Sequence, residues 1–173
     1  MTPRLLIPGI LNTPNIWGEV VERLRNHAEV RFARVDSQDS IEQLARDAWR
    51  ELDDVSMHLP VFVGGFSLGG YVALAMLARL RRPISGVALI SSTSARSISP
   101  AKQASHARAA TLIEHDYAGF FDSVARTGTH PDYCAYPERV ASLLSMMLQM
   151  GPGTAIRQNR AIAQRSERLA LLA

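Results

Sequence analysis

Residues 65–69 read Gly65-Phe66-Ser67-Leu68-Gly69, a G-x-S-x-G pattern. A short apolar run, Val61-Phe62-Val63, enters it, and an alanine- and leucine-rich run leaves it towards Leu80. A strand feeding a helix through this pattern places the serine on a sharp turn, with its hydroxyl projecting from the end of a sheet. A serine so placed is a candidate nucleophile, able to form a covalent acyl intermediate once a base removes its proton. Gly65 and Gly69 are then demanded by geometry, because a Cβ at either would collide with the neighbouring strand or the helix start. A glycine-rich strand-to-helix turn without chemistry is the alternative reading of the same residues. Phosphate cradling is not expected: there is no G-x-G-x-x-G, and no lysine follows Gly69 or Gly70.

The other chemistry-bearing residues form no comparable pattern. Downstream of Ser67 lie His106, His115 and His130, with Glu114, Asp116, Asp122, Asp132 and Glu138 as carboxylates that could orient them. His27 and His58 precede the serine in loop-like contexts. None is assigned as a base. Cys134 is the single cysteine, so no internal disulfide can form, which fits a reducing compartment. No His/Cys cluster has zinc spacing, and neither a metal nor a cofactor is expected. The 19 basic and 16 acidic residues, net +3, are interspersed rather than blocked, and no nucleic-acid partner is expected. The apolar run near the N-terminus is broken by Pro8-Gly9 without a small-residue cleavage site, so it does not read as a signal peptide. No apolar run approaches the ~18 residues of a membrane span. A cytoplasmic protein without a membrane partner is the expectation.

The elements that must position Ser67 are legible in order. Arg4-Leu5-Leu6-Ile7, ended by Pro8-Gly9, reads as a buried parallel strand. Thr13-Pro14 offers a capping hydroxyl before a first helix, on which Ile16, Trp17, Val20, Val21 and Leu24 recur at helical spacing. Residues 30–35 form a second strand whose arginines suggest the sheet edge. Ser40-Ile41-Glu42-Gln43 is a capping box for a second helix carrying Ile41, Leu44, Ala45, Ala48, Trp49 and Leu52 on one face. The strand at Val61, the serine turn, a helix ended by Arg82-Pro83, and a fourth strand at Gly86-Val87-Ala88-Leu89-Ile90 follow. Four strands alternating with helices argue for an α/β fold with a parallel sheet and right-handed crossovers. After Ser91 the pattern turns helical: Ser99-Pro100 caps a helix to about Glu114, an aromatic segment spans 117–124, and residues 137–150 and 154–165 read as two helices separated by Gly151-Pro152-Gly153. Leu143, Leu144, Met146, Met147 and Met150 form an apolar stripe suited to packing.

With the serine turn and the first loop read together, the chain resembles the α/β-hydrolase family, in particular small bacterial esterase-like members with a helical lid. The resemblance rests on Leu6-Ile7-Pro8-Gly9-Ile10-Leu11-Asn12 followed by Trp17, on Val35-Asp36 before a capped helix, on Gly65-Phe66-Ser67-Leu68-Gly69-Gly70, and on Leu89-Ile90-Ser91. Pro8 stands where the family has a histidine, a position that contributes backbone rather than catalysis. The resemblance implies that the strand ending at Ile7 lies beside the one ending at Gly64. It also implies that the backbone N–H groups of Leu68 and Ile10 converge on one oxygen as an oxyanion hole, with Ser67 as nucleophile.

The resemblance further implies a division into residues 1–95 as the N-terminal part of the hydrolase core, 96–168 as the lid, and 169–173 as the start of a segment leading back to the core. The family orders its triad Ser, then Asp or Glu, then His, the last two after further strands. On that pattern roughly 60–90 residues of the core would lie beyond Ala173. The implied function is a serine hydrolase, a carboxylesterase acting on a small-molecule acyl substrate without a cofactor. A non-catalytic binding protein and a cofactor-free haloperoxidase-type activity are alternatives on the same fold. The sequence does not specify an oligomeric state.

Overall fold

The computed structural model describes residues 2–92 and 99–172. Four strands form one parallel sheet: β1 (Arg4–Ile7), β2 (Val30–Phe32), β3 (Val61–Phe66) and β4 (Ile84–Ile90), in the order β2-β1-β3-β4. The chain builds β2 on one side of β1 and then crosses to build β3 on the other. The strand order therefore reverses at β1/β3, where loops leaving the carboxyl ends diverge and open a crevice. Ile7 is in register with Gly65, so the two loops depart at the same level.

Side chains alternate across the strands, and one face is thickly covered. Leu5, Ile7, Val61 and Val63 pack there with α2 (Ile41–Arg50) and α3 (Leu68–Leu77), and every one of these four side chains is buried. Ser40 begins α2 with its hydroxyl accepting from the Gln43 N–H at 3.3 Å, while Gln43 Oε1 reaches past the cap to the Asp39 N–H at 3.1 Å. The predicted box thus closes one residue early. On the opposite face Leu6 fills the space beside Gly64, and the Arg4 guanidinium lies over the Phe62 ring.

The first helix departs from expectation. Pro14–Trp17 is a 3-10 turn leading into α1 (Gly18–Leu24), and Thr13 makes no side-chain cap. Trp17 is buried, but Ile16 and Val20 are exposed, and no residue of α1 is buried. The second strand is shorter than residues 30–35 and does lie at the edge. β4 is two residues longer than expected at its start, and none of its residues is fully buried.

Four helices follow: α4 (Pro100–His115), α5 (Tyr117–Thr127), α6 (Pro131–Cys134) and α7 (Pro137–Ala163). The aromatic segment at 117–124 is thus helical, with Asp116 accepting from the Gly119 N–H at its start and Tyr117, Phe120 and Phe121 meeting edge to face. The two expected helices of residues 137–165 run as one element broken at Gly151, whose φ of 76° and ψ of 160° are non-helical. Ile113, Phe121, Ala125, Val140, Met147 and Ala155 bury one another in a second apolar cluster, with Leu143, Leu144 and Met150 packed on it. That cluster also encloses Leu11, from the loop after β1. The expected boundary between residues 95 and 96 lies outside the described residues.

Candidate active site

Ser67 stands between the last residue of β3 and the first of α3, with φ 51° and ψ −112°. A non-glycine residue in this conformation carries a backbone cost of about 1–3 kcal/mol and persists only where its surroundings enforce it. Three hydrogen bonds do so. The Ser67 N–H donates to the Ile90 carbonyl at 2.9 Å, and its own carbonyl accepts from the Gly70 N–H at 3.0 Å and from the Ser92 hydroxyl at 3.0 Å. The end of β4 therefore grips the turn from the side opposite β1.

The glycines around Ser67 mark where backbone meets backbone. A Cβ on Gly65 would come closer than 3.0 Å to the Gly69 carbonyl at the helix start, and one on Gly69 closer than 3.0 Å to the Ile7 and Pro8 carbonyls. The N-terminus of α3 is thus pressed against the end of β1. Leu68 and Gly69 are the first residues of α3, whose N–H groups precede any intrahelical acceptor and form the positive end of the helix dipole.

The loop after β1 closes on itself beside this helix start. The Asn12 N–H donates to the Gly9 carbonyl at 3.2 Å, and Gly9 sits against the Phe66 ring with no room for a side chain. Leu11 takes a left-handed φ of 54° while its side chain is completely buried. Ile10 lies between the two apolar clusters, packed on both. A cavity of about 280 Å³ opens on the other flank of the loop, lined by Pro8, Asn12, Thr13, Val35, Asp36 and Met150 among others. A larger one, about 440 Å³, lies away from Ser67 between α2, α3 and residues 166–171.

The structure brings Ser67, Leu68, Gly65 and Gly69 together with the loop that carries Ile10. Among the described residues no hydrogen bond joins Ser67 to any histidine. His106 Nδ1 meets Asn159 Oδ1 at 2.5 Å, whereas His130 caps α6 by accepting from the Asp132 N–H at 3.3 Å. His27, His58 and His115 are exposed. Of the carboxylates, Asp116 caps α5, and Asp122 is ion-paired with Arg126, whose hydrogen bond holds the carboxyl below its usual range. Among the described residues no group of three His, Cys, Asp or Glu side chains could hold a metal ion, and no helix is long and apolar enough to cross a membrane.

One buried residue of this region had no role in the sequence reading. Gln158 accepts from the Leu11 N–H at 2.8 Å and is fully buried. Its signal was a polar residue on an apolar helical face, between Ala155 and Ile162.

The model of the alpha/beta hydrolase fold family matches residues 5–157. The chain belongs to that family. No curated protein sequence matches it significantly. Among solved structures the alpha/beta hydrolase fold recurs in a thermophilic esterase from Thermogutta terrifontis, with 20% identity and a TM-score of 0.77 over 96% of this chain and 65% of that one. An enol-lactonase from Burkholderia xenovorans matches with 19% identity and a TM-score of 0.77 over 96% of this chain and 67% of that one. A hydrolase from Oleispira antarctica matches with 17% identity and a TM-score of 0.77 over 99% of this chain and 68% of that one. At these identities the likeness is one of fold. The chain spans about two thirds of the length of each of these three.

Proposed function

We propose that this chain carries the nucleophile and oxyanion hole of a serine hydrolase that cleaves a carboxylic ester or lactone through an acyl-serine intermediate. The observation that carries the reading is Ser67 itself, a non-glycine residue at φ 51° on the turn between β3 and α3, beside the closed loop after β1. Such a turn lifts the hydroxyl clear of the sheet and leaves the N–H of the next residue free to point at the same reacting centre. The esterase and enol-lactonase among the structural neighbours favour an ester-type carbonyl as the target.

In this mechanism Ser67 Oγ attacks the acyl carbonyl, and its proton passes to a base. The carbonyl oxygen becomes an oxyanion held by the N–H of Leu68, at the start of α3, and that of Ile10. Each donor of such a hole lowers the barrier by about 3–4 kcal/mol. Collapse of the tetrahedral intermediate expels the alcohol, which takes up the proton, and leaves an acyl group on Ser67. Water then attacks the acyl-serine with the same base accepting its proton; collapse breaks the Ser67 Oγ–acyl bond, Oγ takes the proton back from the base, and the carboxylic acid is released. No histidine or carboxylate of this chain is assigned as that base or its partner. Among the described residues no histidine is hydrogen-bonded to Ser67, and the chain spans about two thirds of the length of the matched structures.

The test is turnover of a short-chain aryl ester by the protein as its gene encodes it. Ser67→Ala is expected to abolish turnover while circular dichroism and the unfolding midpoint stay close to those of the unaltered protein. Retention of most activity in that variant would remove Ser67 as the nucleophile.

A further inference from the structure

Gln158 is completely buried, yet it lies on the part of α7 that follows the Gly151 break, far in sequence from both of its hydrogen-bond partners. A buried primary amide is costly unless its hydrogen-bonding groups find partners. Here both ends are used: Oε1 accepts from the Leu11 N–H at 2.8 Å, and Nε2 donates to the Val35 carbonyl at 2.5 Å. An amide N–H can only donate and a carbonyl can only accept, so these partners define which end of the side chain is which. The side chain thus spans the gap between the loop after β1 and the chain leaving β2. The same stretch of α7 is seated on that chain by two further bonds, from Thr154 Oγ1 at 3.2 Å and Arg157 Nη2 at 2.8 Å, both to the Asp36 carbonyl.

The peptide Gln158 grips is the one between Ile10 and Leu11. Leu11 is in a left-handed conformation that a non-glycine residue avoids, and no glycine relieves it. Rotation of this peptide would turn the Ile10 carbonyl and the Leu11 N–H, and it reaches the Ile10 N–H, which belongs to the preceding Gly9–Ile10 peptide, through the Ile10 backbone torsions that join the two. The bond to Gln158 opposes that rotation from one side, and burial of the Leu11 side chain in the helical cluster opposes it from the other. We propose that Gln158 is a positioning residue for the oxyanion hole: its amide clamps the Ile10–Leu11 peptide to the backbone of Val35 and so fixes, one peptide away, the loop that presents the Ile10 N–H. This rests on the reading of Ile10 as an oxyanion donor. It goes beyond that reading by making the second half of α7 a working part of the site, not only its cover.

Two substitutions separate positioning from packing. Gln158→Met keeps the length and removes both hydrogen bonds. In the protein as its gene encodes it, kcat for an aryl ester is expected to fall about 10²-fold, as for a lost or misdirected oxyanion donor, with KM changed less than about threefold. The Leu11 amide, followed by hydrogen exchange, should exchange at least about tenfold faster. Gln158→Glu carries a readout that packing alone would not move. As a neutral acid the glutamate can accept from Leu11 and donate to Val35, but as a carboxylate it cannot donate. Burial raises the pKa of such a group, so kcat of this variant should approach that of the unaltered enzyme on the acid side and decline through a new ionisation as pH rises.

Gln158→Met with kcat within about twofold of the unaltered enzyme, an unchanged Leu11 exchange rate, or a Gln158→Glu pH profile parallel to that of the unaltered enzyme would each overturn the clamp. If Gln158→Met does not fold, the pH profile of Gln158→Glu decides. Failure of the underlying reading is recognised separately, because an inactive unaltered protein or a fully active Ser67→Ala variant overturns both without any change at Gln158.

Discussion

Ser67 and Leu11 are two strained non-glycine residues on adjacent loops, each held by hydrogen bonds from elements remote in sequence. Strain of this kind points to preorganisation, since the bonds that enforce it are made before any substrate arrives. At this scale the proposed hole makes a sharp prediction at Ile10. If only its N–H matters, Ile10→Ala should keep turnover within about tenfold, whereas Ile10→Pro, which deletes the donor, should lower kcat by roughly 10²–10³. Steady-state kinetics of the two variants checks this, and equal losses would assign Ile10 a packing role.

Among the elements, α7 is broken where Gly151 precedes Pro152, a residue that lacks an N–H and disfavours helical geometry at the position before it. Gly151 has φ 76° and ψ 160°, a region almost closed to residues with a side chain, and a Cβ there would meet nothing within 4 Å. Gly151→Ala should therefore destabilise by about 1–3 kcal/mol through the backbone alone. Gly153, two residues on, lies in helical geometry, and an added methyl there would meet only the tip of the Arg157 side chain. Gly153→Ala should stabilise by about 0.5–1 kcal/mol, because alanine restricts the unfolded chain without straining the helix. Opposite signs in denaturant melts would establish that the break before Pro152 requires a glycine at 151 and not at 153.

For the molecule as a whole, the segment after α7 is tied back to the core where Arg168 donates to Glu42 at 2.5 Å, with Ser166 at 3.3 Å. Burial alone would raise the Glu42 carboxyl, but the Arg168 hydrogen bond, its own backbone N–H and the Arg168 charge together hold it below its usual value of 4.5. A group whose folded pKa is depressed contributes stability above its unfolded pKa and loses it as pH falls through the folded value. Glu42→Gln should thus cost up to about 1 kcal/mol at pH 7 and progressively less below pH of about 4, measured by urea unfolding at each pH. The sheet offers a second whole-molecule test. Among the described residues β4 pairs only with β3, and such an open, apolar strand invites pairing with other chains. The 173-residue chain expressed by itself should self-associate, and Ala88→Lys, which puts a charge on the face away from Val87 and Leu89, should reduce light scattering at equal concentration.

The sequence by itself determined what depends on near neighbours. The glycines flanking Ser67, the Ser40 cap, the alternation of apolar runs with helical periods and the arginines of the edge strand β2 each express a local steric or solvation rule. Those rules were enough for the α/β class, the four strands and the turn that carries the candidate nucleophile. Tertiary structure decided the rest. Thr13 lacks the cap bond its type suggested, because Pro14–Trp17 winds as a 3-10 turn with Trp17 drawn into the protein. Residues 117–124 read as an aromatic segment, yet burial of Phe121 against α7 makes them a helix. The left-handed Leu11 carries no glycine to announce it, and its partner Gln158 lies 147 residues away in the chain. A hydrogen bond between groups so far apart costs loop-closure entropy that only the assembled sheet and helices can offset, so no local pattern encodes it. The candidate site therefore has parts legible in the sequence, the serine turn and, by resemblance, Ile10, and a support for the loop of Ile10 that forms only once α7 has folded back over the ends of β1 and β2.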